Sequence, residues 1–109
     1  MSLAKKTVSD VENMFDFLLG VIALAKGGQT QEIEDGAFDY SKMLLEAAEK
    51  PMKDLDLYDK IFKALNEAER LVLNDDFITA YKTLQRANCE LMQKSGTIEQ
   101  LRNHLNKLH

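Results

Sequence analysis

The sequence predicts an all-α fold, an up-and-down antiparallel four-helix bundle closed by a short fifth helix, and three observations carry that expectation. Glycine and proline are scarce, five and one in 109 residues, which leaves little material for hairpins. Apolar residues recur at three- and four-residue steps along nearly the whole chain, the period of one helix face. No stretch alternates apolar and polar residues with the period of two that a half-buried strand needs.

The first helix is expected over about 9–26. Ser9 and Glu12 have the spacing of a capping box, and Val11, Phe15, Leu18, Ile22 and Ala25 form its core line. Gly27-Gly28 ends it, because glycine accepts the left-handed conformation of a helix stop. The second helix, about 31–49, starts behind Thr30 and points Ile33, Ala37, Tyr40, Leu44, Ala47 and Ala48 inward. Pro51 stops or bends it. The third, about 54–73, buries Tyr58, Ile61, Phe62, Leu65, Ala68 and Val72.

Asn74-Asp75-Asp76 is a turn whose short side chains bond the local backbone and cap the next helix. The fourth helix, about 76–94, buries Phe77, Ala80, Tyr81, Leu84, Ala87 and Leu91. Thr97 and Gln100 repeat the capping-box spacing and open the fifth, about 98–108, with Ile98, Leu101, Leu105 and Leu108 on one stripe. This last helix is expected to pack across one end or to extend a partner's surface. The whole of 1–109 reads as one domain.

Composition narrows the function classes. At 45% hydrophobic and 29% charged the chain is ordinary for a globular domain. A net charge of −4 argues against nucleic-acid binding, which draws on clustered Lys and Arg. Cys89 is the only cysteine, so no internal disulfide forms, and a reducing, cytoplasmic setting fits. Lys5-Lys6 followed by the apolar run Met14 to Ala25 imitates a secretion signal, but Asp10, Glu12 and Asp16 interrupt the region. That run is also too short to span a bilayer. No membrane association is expected.

Motifs for chemistry are missing. Asp54 to Asp59 begins like a calcium loop, yet it lacks the central glycine and has Leu65 where a bidentate glutamate belongs. His104 and His109 are five residues apart, on different helix faces, and no Glu-x-x-His pair exists for a di-iron centre. Cys89 lies on the flank of the fourth helix with no histidine brought near it, and reads as a half-buried structural thiol. No phosphate-cradling loop is present. The chain is therefore expected to be no enzyme and to carry no cofactor. Glu32, Glu34, Asp35 and Asp39 form an acidic patch with Lys42 as the nearest base, read as solvated or as a docking site for a basic partner.

Surplus apolar residues are the remaining clue. Taking about 100° per residue, the apolar arc of the first helix covers roughly 220°, with Phe17, Val21 and Leu24 on its flank, as suits a helix with two neighbours. On the second helix Phe38 and Leu45 lie opposite the assigned core line with Ser41 beside them, and Ile78 on the fourth is a similar case. These four residues are the expected contact surface for a protein partner or for self-association as a homodimer.

The hairpin Ala68-x-x-Leu71…Phe77-x-x-Ala80-x-x-x-Leu84-x-x-Ala87 resembles one tetratricopeptide repeat. It departs from that pattern at Ala64, Glu67 and Met92, and no second copy stands one period earlier. Leu57-Tyr58-Asp59 through Asp76-Phe77-x-x-Ala80 is also similar to a hairpin of flagellin export chaperones. Each likeness spans under a third of the chain and implies a tight antiparallel helix pair.

The expected function is a non-enzymatic helical interaction module, such as an adaptor, chaperone or regulatory subunit. The alternative is a bundle with an interior ligand or catalytic pocket, to which Tyr40, Tyr58 and Tyr81 would lend hydroxyls. A structural domain of a longer protein fits equally well, and predicts a featureless surface.

Overall fold

The computed structural model describes residues 3–107, with side-chain exposure for 7–97, 100 and 102–107. Every regular element among them is helical: α1 (Leu3–Lys26), α2 (Gln31–Glu34), α3 (Ala37–Ala47), α4 (Glu49–Asp54), α5 (Tyr58–Leu73), α6 (Phe77–Lys94) and α7 (Thr97–Lys107). The expected second helix is two, α2 and α3. A further helix, α4, stands where a stop was expected, so that the third expected helix starts at Tyr58 and not at Asp54. Gly36, at φ 94°, separates α2 from α3. The next break falls at Ala48, three residues before Pro51, whose ring has no N–H to give the carbonyl of Ala47 and crowds it. Pro51 itself sits in the first turn of α4, where that loss costs nothing.

α1 begins by Leu3 and not at Ser9, which lies exposed within it. Ala4, Lys5 and Lys6 are good helix formers, so nothing upstream of Ser9 obliges the helix to start there. Thr97 does not cap α7 either. Gly96 supplies the carbonyl that accepts from the Gln100 amide (3.0 Å), and the Thr97 hydroxyl is drawn away to Glu12.

Three helices end in the same way. The amides of Gln29, Leu57 and Asp76 reach back five residues to the carbonyls of Leu24, Met52 and Leu71, at 2.9, 2.8 and 2.8 Å. The residue before each of them is left-handed: Gly28 at φ 99°, Asp56 at 57° and Asp75 at 61°. This is the Schellman stop, which satisfies carbonyls that have no helical partner. Asp76 then turns its side chain to the Thr79 amide (3.3 Å) and caps α6.

The core is built from one line on each long helix: Phe15, Leu18 and Ile22 of α1, Ile61 and Leu65 of α5, and Ala80, Leu84 and Leu91 of α6. Phe38, Leu45 and Met52 complete it from α3 and α4. α5 and α6 lie antiparallel, with Lys60 near the start of one bonded to Glu90 near the end of the other at 3.0 Å. That hydrogen bond holds the Glu90 carboxyl below its ordinary value and raises the Lys60 ammonium above its own. α1 and α6 are antiparallel too, because Ile22 and Ala23 meet Phe77 and Tyr81 at one end, while Glu12 meets Thr97 at the other.

Candidate interaction surface

Of the four residues of the expected contact surface, Ile78 is exposed and the other three are not. Phe38 and Leu45 are 2% and 0% exposed, and Ser41 is fully buried with its hydroxyl donating to the Ala37 carbonyl at 2.9 Å. The physical reason is a lost phase. Counting from Ile33 in steps of three and four leads to Ala37, Tyr40 and Leu44, but the left-handed turn at Gly36 rotates α3 relative to α2. Of the stripe taken as core, Ala37 and Ala48 are buried and Ile33 and Leu44 half-buried, but Tyr40 is 54% exposed and Ala47 exposed, with Met43 66% exposed beside them. α3 carries two apolar stripes, and the second is the one left over.

That leftover stripe is continuous with a second one on α1. Residues 17–25 of α1 are apolar or glycine without interruption, and a helix that is apolar all round is normally enclosed on all sides. Its two neighbours bury Val21, as expected of a helix between α3 and α6, but Phe17 and Leu24 stay exposed. Between them Gly20 faces open space, with no atom within 4 Å of where a Cβ would stand. The Phe17 and Tyr40 rings meet edge to face, 6.2 Å between centroids, which joins the α1 and α3 stripes into one surface. Tyr81, expected in the core, is exposed and lines a shallow hollow of about 290 Å³ with Ile22, Ala23, Lys26 and Phe77. Ile78 is exposed on the same first turn of α6.

The charged groups distribute unevenly around this surface. Glu32, Glu34, Asp35 and Asp39 are all exposed. Gln31 donates to Asp35 at 2.9 Å and Thr30 to Glu34 at 3.5 Å. Glu34 and Asp39 border a hollow of about 160 Å³ with Glu69. Lys42 does not serve the patch: it crosses to α5 and pairs with Glu69 at 2.8 Å. Residues 7–47 hold eight carboxylates against two lysines, one of them so engaged.

A cleft of about 550 Å³ opens at the end of the molecule where α1, α4, α6 and α7 meet. Glu12, Asp54, Lys94, Ser95 and Thr97 line it together with Val8, Pro51 and Leu55. Thr97 donates to Glu12 (2.9 Å) and touches Ser95 (2.9 Å), while the Lys94 ammonium points to the Leu55 carbonyl at 3.5 Å. None of Tyr40, Tyr58 and Tyr81 lines it, so the tyrosine-lined interior pocket is not what forms. Ser41 is the single polar side chain buried among the described residues. Cys89 is exposed rather than half-buried.

Among the described residues no group of three or more His, Cys, Asp or Glu is placed to hold a metal ion, and no helix is long and apolar enough to cross a membrane. His109 lies outside the described residues, as do the side chains of Ile98, Leu101 and Leu108. Comparison with protein-family models, with curated proteins and with solved structures finds no match for this chain.

Proposed function

We propose that the protein is a helical interaction module without catalytic activity, and that it binds a protein partner through the apolar surface of α1 and α3. We infer with it that α1, the α3–α4 pair, α5 and α6 alternate in direction as an up-and-down frame presenting that surface. One observation carries the reading. Phe17, Gly20 and Leu24 on α1 and Tyr40 and Met43 on α3 form a joined apolar area. Such areas on a protein surface mark contacts with other proteins. Tyr40 and Phe17 are also the residue types that supply most of the energy at such contacts. The reducing, cytoplasmic setting that the lone cysteine suggests is compatible with an adaptor or chaperone role.

Photo-crosslinking in cells tests it. A photoreactive phenylalanine analogue at position 24 or 43 should give discrete protein adducts, and the same analogue at Lys63, exposed on α5, should not. Equal or absent labelling at all three positions would overturn the assignment. A second reading follows from the end cleft, whose size is that of a small-molecule site. Its opposed Glu12 and Lys94 beside two hydroxyls suit a small polar zwitterion.

A further inference from the structure

The side chains of α7 from Arg102 to Lys107 are all exposed, although they span every direction around the helix axis. Leu105 stands 55% exposed among them. The first residue of α7 is tied to α1, Thr97 donating to Glu12. A helix of 11 residues is marginal in water unless an apolar face of it is packed, since nucleation costs more than so few hydrogen bonds return. In sequence, residues 98, 101, 105 and 108 are all Ile or Leu at three- and four-residue steps, which is the spacing of one apolar seam.

The same chain offers a surface of matching form. On α1, positions 17, 20 and 24 repeat at three and four residues, the spacing of a helix-pairing seam. Gly20 leaves a gap at its middle into which a leucine can descend. α7 spans about 16 Å at 1.5 Å per residue, and Phe17 to Leu24 covers about 10 Å by the same rise, so one helix covers the other. The charges agree as well. α7 is basic, with Arg102 and Lys107 against Glu99. The span that carries the acceptor is strongly acidic, with Asp10 and Asp16 on α1 itself and Asp39 and Glu46 on α3. Opposite charges flanking an apolar seam set partner and orientation.

We propose that α7 of one copy docks on the α1–α3 surface of a second copy, and that the second returns the contact, giving a two-fold dimer with exchanged C-terminal helices. The proposal rests on the reading of the α1–α3 surface as a binding face and names its occupant. An exchange of this kind gives the exposed end of α7 and the exposed α1–α3 surface a partner each, in duplicate.

Light scattering on the full chain, with Gly20→Arg and Leu105→Asp variants, tests it. Gly20→Arg enters open space and favours the helix, so it blocks the seam without loosening the fold. Leu105→Asp alters a residue that is already exposed. The wild type should be a dimer, and either substitution should raise the dissociation constant by about 100-fold or more. Mixing the two variants should restore association, because the intact α7 of one fits the intact surface of the other. A dimer broken by Gly20→Arg but untouched by Leu105→Asp would overturn the exchange and leave the binding face standing. In a Cys89→Ser background, the double variant Gly20→Cys with Leu105→Cys, treated with a short bismaleimide, should link two chains. A monomer that links within one chain would show α7 covering its own α1, and would overturn both. A monomer that does not link would overturn the exchange alone, with the crosslinks at positions 24 and 43 deciding the face.

Discussion

Asp56 and Asp75 hold left-handed backbone at the helix stops where Gly28 does the same work in α1. The hydrogen-bond pattern is the same at all three places, so the stop is dictated by what precedes and follows it rather than by glycine. Aspartate tolerates this conformation better than alanine does, because its short polar side chain bonds locally. Glycine meets no steric penalty there at all. At position 75 the Gly variant should therefore exceed the Ala variant in stability by about 1 kcal/mol, and wild type should fall between them. Urea unfolding of the three proteins checks the order. An Ala variant as stable as the Gly variant would mean that the left-handed turn is not kept in solution.

At the scale of elements, the all-helical class and the courses of α1, α5 and α6 are legible in the sequence, and the division into α2, α3 and α4 is not. α1, α5 and α6 each have a dominant line of large apolar residues, so periodicity alone places Phe15, Leu18, Leu65 and Leu84 inside. α3 has two lines of similar strength, and only the phase between them and the neighbouring helices chooses. Gly36 hides that phase, because an isolated glycine inside an apolar pattern reads as a tolerated defect until its φ is known. Ser41 was the usable signal. A small hydroxyl that bonds its own helix at the fourth residue back can be buried without loss, whereas the phenol of Tyr40 wants water at its tip. The surplus stripe was thus detectable in number but not in identity. The consequence is measurable: Phe38→Ala should cost about 3–5 kcal/mol through the cavity it leaves, and Tyr40→Ala less than about 1 kcal/mol. Equal losses would put both rings in the core and remove the exposed surface from consideration.

At the scale of the molecule, the shape itself bears on assembly. Extents of 42 × 34 × 19 Å describe a flat body, and a flat body of about a hundred residues leaves a large share of its apolar side chains near solvent. Two such bodies that exchange α7 would cover the joined Phe17, Leu24 and Tyr40 area, and folding would then be linked to association. A species that must dissociate to unfold melts higher at higher concentration. Each tenfold rise in concentration adds about 1.4 kcal/mol per dimer, or half that per chain. For a domain of this size that is a rise in melting temperature of about 3–5 °C per decade. The Gly20→Arg variant should lose this dependence, yet melt no lower than wild type at high dilution, since arginine is the better helix former at an exposed position. High salt should flatten the wild-type slope as well, by screening the basic α7 from the acidic span of residues 7–47. A wild-type melting temperature that stays constant across two decades of concentration would exclude the exchanged dimer as the stable form of this protein.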